Sequence, residues 1–483
     1  MSSALSRRDL LERAGLAAIA SSGLYGVLDE LVPSVADAAV AGARRRPEQH
    51  LPERVRLVTD NNVSVVVPPL HHRVVTTRLT VPRRAGALRE AQRVLERQVR
   101  LLESEAGPGL DVTIAWGLPY FARYLPRLAN GARYPDYLPH DLEASRTAGS
   151  RVSAVLDAIR FPSDPASTIL EHNDVAFLFS SDSLAAVEDG AQALFASLSG
   201  ILRLTSVRKG FVGGGFGGRR SLPKKMAMKA RIPGAELIPA DAQLFLGFTS
   251  TQQGALGPGR IANFETLPGF TDQWPRGPFR GGTAMHLSHV FEDVELWYTQ
   301  YNEIRRMWQA MDAGRAEFVA GPATLPSGPD AVQSFEELQA FAIRDADGND
   351  GIAGHSATMQ PVNRLATTLR DNHGTAHRQG TAVLQRSDFN TLDNPFFWSA
   401  APRLDRYRTT PRAGLHFVAF SPTTDFFHRL RRAMDGRYAD GTVLPLSPHS
   451  AGLGMNSVLR TTHRQNFLVP PRARRAFPLA ELA

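Results

Sequence analysis

The stretch VAFLFSSDSLAAVEDGAQALFASL, residues 175–198, contains the pattern from which the fold can be predicted. Its first residues, Val175–Phe179, form a short apolar run of the kind found in a buried strand. Ser181 or Ser183 is then placed to cap a helix that carries acids in its early turns. The stretch therefore predicts one strand that leads directly into one helix.

Sequence on both sides of this stretch extends the pattern to a larger unit. Downstream, a further strand is predicted at about residues 201–207. Upstream, we predict a strand at 74–81 (VVTTRLTV), a helix with apolar residues at helical spacing, and a strand at 111–116 (DVTIAW). The apolar residues of that helix are Leu88, Ala91, Leu95, Val99 and Leu102. The order β-α-β, β-α-β predicts a ferredoxin-like half over residues 71–210.

The second part of the chain repeats this theme more loosely. We predict strands at 283–291 and 415–420, and helices at 293–312 and 423–435. The fold class is therefore α+β with two ferredoxin-like halves, as in the dimeric α/β-barrel superfamily. The C-terminal half is predicted over residues 211–436. Residues 39–70 are interpreted as a linker and residues 437–483 as an Arg- and Pro-rich tail.

The N-terminus has the features of an export signal. Ser6-Arg7-Arg8-Asp9-Leu10-Leu11 is a twin-arginine signature, and a weakly apolar run follows it at 14–28. Ala36-Asp37-Ala38 then matches an A-x-A cleavage pattern. We predict a signal peptide over residues 1–38, passage through the twin-arginine translocation machinery, and an extracytoplasmic mature protein without a transmembrane span.

Composition excludes several kinds of chemistry. The formal charge is +8, but the arginines are scattered and the only lysines are Lys209, Lys224, Lys225 and Lys229, so no basic stripe for nucleic acid is present. The chain has no cysteine, which excludes disulfides, iron–sulfur clusters and thiolate nucleophiles. Any haem iron would take its protein ligand from His, Met, Tyr or a carboxylate.

Two motifs are interpreted as structural. Gly213–Gly218 satisfies G-x-G-x-x-G, but the sequel RRSLPKK is a poor helix start, so we interpret it as a loop and not as a dinucleotide site. His286 and His289 lie three residues apart on a strand and should point to opposite faces. We expect one to be solvated and the other packed, not a metal pair.

Several segments, in order, resemble the dye-decolourising peroxidase family, whose two ferredoxin-like halves hold one haem. The similar segments are LDVTIAWGLPYFARYLP (110–126), DVAFLFSSDSLAAVEDGAQAL (174–194), LFLGFTST (244–251), GPFRGGTAMHLSHVFEDVELWY (277–298), VLQRSDFN (383–390) and GLHFVAFSPTTDFFHRLRRAM (414–434). Each segment is weakly specific by itself, and their order along the chain carries the resemblance.

The resemblance implies haem b and a histidine ligand to its iron. The candidates for the proximal ligand are His355, which we prefer, His373 and His377. Asp425, on the predicted closing helix, corresponds to the acid that would accept the N–H of that histidine. The alternative for Asp425 is an acid that simply stabilises the first turn of its helix.

The resemblance also implies a site for peroxide. Arg386 matches the family's distal arginine, which stabilises charge on the departing oxygen. Ser250 stands where the family has an aspartate, and a serine hydroxyl is too weak a base to move the peroxide proton. Asp388, two residues from Arg386 on the same strand face, could replace that aspartate.

The sequence therefore predicts a secreted haem peroxidase that oxidises an organic reductant with hydrogen peroxide. Two alternatives stay open: a haem- or iron-binding protein without turnover, and a cofactor-free binding module on the same scaffold. A homo-oligomer is also left open.

Overall fold

The computed structural model describes most of the predicted fold. The described residues are 24–28, 47–51, 56–60, 63–105, 109–125, 136–214, 220–247, 269–273, 276–301, 365, 367–370, 374, 376–377, 379, 383–393, 410–438, 441, 443 and 454–482. Within them, no helix is long and apolar enough to cross a membrane.

Strands and helices are numbered here in chain order. The strands are β1 (Arg56–Asp60), β2 (Val63–Val67), β3 (His71–Leu79), β4 (Asp111–Gly117), β5 (Ile169–Leu170), β6 (Val175–Ser181), β7 (Leu202–Phe211), β8 (Thr283–Glu292), β9 (Leu369–Arg370), β10 (Ala376–His377), β11 (Gln385–Arg386), β12 (Phe389–Thr391), β13 (Gly414–Ser421) and β14 (Leu459–Val469). The helices are α1 (Ala85–Glu105), α2 (Leu118–Tyr124), α3 (Leu142–Ala148), α4 (Leu184–Ser197), α5 (Leu222–Lys229), α6 (Val294–Gln300) and α7 (Thr424–Met434).

The N-terminal half is a ferredoxin-like unit, as predicted. Its four strands are antiparallel in the order β7-β3-β6-β4, and α1 and α4 are the two helices that connect them. Ser183 caps α4 by accepting a hydrogen bond from the backbone N–H of Ala186. α1 buries Leu88 and Leu95 against the sheet, and α4 buries Val187 and Leu194. Local pattern and tertiary structure agree here because the strands are short apolar runs and α1 has one apolar stripe.

The C-terminal half has the same topology, with β12-β13-β8-β14 as its sheet and α6 and α7 as helices. Its fourth strand is β14, which lies in the segment interpreted as a tail. Residues 459–469 are LRTTHRQNFLV, and the polar side chains of His463, Arg464, Gln465 and Asn466 are all buried. A strand that buries polar groups on both faces lacks the hydrophobic periodicity by which strands are recognised.

The two sheets join into one closed barrel of eight antiparallel strands. β14 pairs with β4, and β12 pairs with β7, so that the order runs β7-β3-β6-β4-β14-β8-β13-β12 and returns to β7. The second junction is a single residue pair, Asn390 with Phe211. A β-carbon on Gly210 would lie 2.3 Å from the carbonyl oxygen of Asn390, so this seam requires glycine.

Side chains from both halves meet inside the barrel. His72 of β3 stacks on Phe389 of β12 with ring centroids 4.9 Å apart. At one end the interior is apolar, and Ala115, Ala176, Met285, Leu287 and Val418 belong to one buried cluster. Side chains from both sheets therefore fill this end of the interior.

Two further segments differ from their sequence interpretation. The predicted linker includes the antiparallel hairpin β1–β2. After the glycine-rich motif a helix does begin: Ser221 caps α5 by accepting from the N–H of Lys224 at 3.0 Å, so the expectation that none starts there was wrong. β7 is nevertheless antiparallel to both of its neighbours, unlike the parallel strands of a dinucleotide fold.

Candidate active site on the outer face of the C-terminal sheet

Arg386 and Asp388 lie on the outer face of the C-terminal sheet, at the edge formed by β11. Arg386 is paired with Ala419 of β13, and Phe389 is paired with His416 in the same register. Asp388 is therefore opposite Phe417, one position along the same face as Arg386. Both side chains are half-buried.

A row of four residues crosses the sheet from Arg386. Ala419 pairs with Arg386 on one side and with His286 of β8 on the other, and His286 pairs with Asn466 of β14. We call Arg386, Ala419, His286 and Asn466 the outer-face row. Since neighbouring strands are about 4.8 Å apart, the α-carbons of Arg386 and His286 are separated by about 10 Å. The small side chain of Ala419 lies between them.

Hydrogen bonds define the protonation of His286. Its Nδ1 lies 2.7 Å from Oδ1 of Asn466, while Nδ2 of Asn466 donates to the carbonyl oxygen of Leu156 at 2.9 Å and lies 3.2 Å from Nε2 of His428. The amide oxygen can only accept, so Nδ1 of His286 carries the proton. Nε2 of His286 therefore carries a lone pair. This atom is buried and has no hydrogen-bond partner in the described part of the chain.

Burial keeps this imidazole neutral. His286 is 1% exposed and stacks on Phe427 of α7 with ring centroids 3.6 Å apart. Desolvation, together with the positive charge of Arg464, lowers the pKa of His286 well below its ordinary value of 6.5. A neutral imidazole with a free Nε2 can accept a proton or bind a metal ion.

A carboxyl group at the end of β8 holds its proton near neutral pH. Glu292 is buried, and burial, reinforced by the negative charge of Asp388, raises the pKa of Glu292 to about 8. Its side chain points to the same outer face of β8 as the side chain of His286, because the two residues are an even number of positions apart. Glu292 pairs with Leu459 and His286 with Asn466, so the two groups lie about 20 Å apart along β8.

Asp425 lies in the first turn of α7 and forms an ion pair with a residue of the same helix. Its Oδ2 lies 3.2 Å from Nε of Arg429, one helical turn later. Burial raises the pKa of Asp425, and the charge of Arg429 opposes that shift. A first-turn acid of this kind also stabilises its helix, and the role of Asp425 beside the iron ligand stays a prediction.

Three of the predicted site residues, Ser250, His355 and His373, lie outside the described residues. Their predicted roles remain predictions. His377 is described in β10, where it is 2% exposed.

A second polar cluster lies inside the barrel. The rings of His289 and His416 are 4.2 Å apart, and those of His289 and His463 are 6.4 Å apart. Beside them, the buried pair Arg208–Glu171 forms a charge-assisted hydrogen bond. Among the described residues, no group of three or more His, Asp or Glu side chains is arranged to hold a metal ion.

The sequence prediction for the two strand histidines was half correct. His286 and His289 do point to opposite faces of β8, but both are buried, so the expectation that one is solvated was wrong. His286 was missed as a site residue because its partner Asn466 is 180 residues away in the sequence. His286 could have been identified from its position across the sheet from Arg386. That position is known only once the order of the strands is known.

Fold and site together define an α+β barrel protein with a histidine-rich C-terminal sheet. The model described as "Family of unknown function (DUF7405)" matches residues 69–471, and the chain belongs to that family. No curated protein matches it.

Solved structures similar to the chain include DyP-type peroxidases. One from Cellulomonas bogoriensis is 16% identical, with 90% of this chain and 99% of that chain covered and a TM-score of 0.47. One from Streptomyces coelicolor is 15% identical, with 89% and 96% covered and a TM-score of 0.45. A DypB variant from Rhodococcus jostii RHA1, solved with haem, is 11% identical, with 86% and 96% covered and a TM-score of 0.38. Likeness at this level does not transfer an activity, and the fold assignment rests on the strand pairings of the chain itself.

Proposed function

We propose that this chain is a haem-dependent, peroxidase-like oxidoreductase that uses hydrogen peroxide to oxidise an organic reductant. The observation that supports the proposal most directly is the outer-face row, in which a permanently charged guanidinium and a neutral imidazole share one face. Haem b, when bound, supplies the redox chemistry. The iron ligand is proposed from the sequence to be His355, with His373 as the alternative.

The residues of this face fit such a group in their chemistry. The chain has no cysteine, which excludes a thiolate ligand to iron, and the family resemblance implies a histidine. The lone pair on Nε2 of His286 is buried and is not used in any hydrogen bond of the described residues. A buried acceptor without a partner costs about 1–3 kcal/mol, which a ligand on this face would recover.

We assign different roles to Arg386 and His286 at this face. With haem bound, Nε2 of His286 would hold and return the peroxide proton, a role for which a serine at position 250 is too weak a base. Arg386 would stabilise negative charge on the peroxide oxygen. Asn466 orients the ring of His286 through the bond to Nδ1. Asp388 is the alternative proton acceptor on the same face.

A second candidate function is haem or iron binding without turnover. It is favoured by the surroundings of His286, because histidines that bind metals commonly donate their other ring N–H to an oxygen, as Nδ1 does here to Asn466. In that case Nε2 of His286 binds iron and does not move protons.

Visible spectroscopy of the purified full-length chain, supplemented with haem b, tests the proposal. We expect a Soret band and oxidation of a phenolic or anthraquinone reductant with peroxide. Arg386→Ala and His286→Gln should keep the Soret band and slow the reaction with peroxide by about 10²–10⁴-fold. His172→Gln, at an exposed position, is the matched control and should change neither.

The other outcomes separate the alternatives. Loss of the Soret band in His286→Gln, with circular dichroism unchanged, assigns this histidine to iron and supports binding without turnover. A wild-type protein that stays colourless after haem addition contradicts both haem proposals and leaves the cofactor-free module.

A further inference from the structure

A short helical turn at residues 24–28 packs into the folded domain, although these residues (LYGVL) lie in the apolar part of the predicted export signal. Tyr25 is 1% exposed and Leu28 is fully buried. Both belong to a buried cluster with Phe211, Trp297 and Leu392, as well as other apolar residues. The ring of Tyr25 lies 6.3 Å from that of Phe211.

The hydroxyl group of Tyr25 is held at the seam between β7 and β12. It accepts a hydrogen bond from the backbone N–H of Leu392 at 2.9 Å. It also lies 3.3 Å from the carbonyl oxygen of Lys209 on β7 and 3.4 Å from Oγ1 of Thr391 on β12. A single side chain thus contacts both strands at the junction where the barrel has only one residue pair.

Polar groups of the folded domain surround the hydroxyl group of Tyr25. Asp393 Oδ1 is 3.4 Å from the hydroxyl, and Oδ2 of the same residue accepts from the N–H of Lys209 at 2.6 Å. Burial and the nearby charge of Asp393 raise the pKa of Tyr25, so the hydroxyl keeps its proton. Without the segment, the N–H of Leu392 would lose the hydroxyl that accepts its hydrogen bond. Apolar area of the cluster would also meet water.

We infer that residues 24–28 are a permanent part of the folded protein, which binds its own N-terminal segment across the seam and keeps it after export. The chain is then recognised through Arg7 and Arg8 but is not cut at Ala36-Asp37-Ala38. A leader that is removed needs no satisfied hydrogen bond in the protein interior, whereas a structural segment does. This inference is independent of haem and of the outer-face row.

Intact-mass measurement of the exported protein tests retention. We expect a mass that includes residues 24–28. An exported chain that begins at residue 39 overturns the inference.

Thermal unfolding tests docking with a matched pair of variants. Tyr25→Phe removes the hydroxyl from the seam and should lower Tm by about 1–3 °C, because one buried N–H loses its acceptor. Tyr137→Phe is the control, since the hydroxyl of Tyr137 is buried without a hydrogen-bond partner among the described residues and its loss should leave Tm unchanged. A chain starting at residue 39 should melt at least about 5 °C below the full chain. Equal Tm values for the two chain lengths, or for the two variants, contradict docking.

Discussion

His286, His289, His416 and His428 are all buried in the C-terminal half, and burial lowers the pKa of each. For His428 the pKa falls to about 4. These imidazoles are therefore neutral at pH 7 and keep their lone pairs for hydrogen bonding or chemistry. The same burial lowers the stability of the folded protein in acid, because these histidines bind protons more readily in the unfolded chain.

Stability should therefore fall as the pH is lowered below about 6.5, the pKa of an unfolded histidine. Below that value the unfolded chain binds protons that the folded chain does not, so the free energy of unfolding decreases by about 1.4 kcal/mol per pH unit for each such histidine. His416→Leu should flatten the slope between pH 6 and pH 4 by roughly one proton. Denaturant unfolding at several pH values measures this.

Carboxylates that lose stabilising contacts in acid also make the free energy of unfolding fall as the pH is lowered. The effect of one histidine is therefore measured by comparing a variant with the wild type. His172→Leu, at an exposed position, should keep the wild-type slope. An unchanged slope in His416→Leu would mean that this histidine is already protonated in the folded protein.

At the level of the elements, the junction between β7 and β12 is the weak point of the barrel. Only Asn390 and Phe211 are paired there, whereas β14 and β4 share two pairs. Close approach of the two strands is possible because residue 210 has no side chain. A β-carbon at that position would lie 2.3 Å from both the carbonyl oxygen of Asn390 and a ring carbon of Phe389.

Gly210→Ala should consequently destabilise the protein by about 2 kcal/mol or more, since either the seam opens or Phe389 moves off His72. Gly200→Ala is a matched control, because a β-carbon at that position meets nothing within 4 Å. It should leave stability within about 0.5 kcal/mol of wild type. Chemical denaturation of the three proteins measures the difference. Equal losses for the two variants would show that the seam tolerates a side chain.

At the level of the whole molecule, the barrel requires both ends of the chain. β14, at residues 459–469, is inserted between β8 and β4 and joins the two halves. The barrel cannot close until the last strand has been synthesised. The predicted twin-arginine route carries folded proteins, so passage by that route would require the barrel to close before export.

Replacement of Arg7 and Arg8 by lysine should abolish export and leave a folded protein in the cytoplasm. Cell fractionation measures the location, and resistance to limited proteolysis measures folding. An exposed-arginine pair such as Arg93 and Arg97, changed to lysine in the same way, is the control and should not alter export. Continued export of the Arg7/Arg8 variant would exclude the twin-arginine route.

The sequence by itself determined the N-terminal half and the α+β class. Short apolar strands and helices with one apolar stripe carry that information locally, within about thirty residues of each other. It also placed Arg386 and Asp388 on one strand face, because that follows from the period of two.

Only the tertiary structure decided that Leu459–Val469 is a central strand, that the two sheets close into a barrel, and that His286 shares a face with Arg386. Each of these depends on pairing between residues far apart in the chain. A buried histidine or asparagine looks the same in sequence as an exposed one, because burial of a polar group is favourable only when a distant partner completes its hydrogen bond. The environment of a polar residue is therefore a property of the folded sheet, whereas an apolar periodicity is a property of the segment.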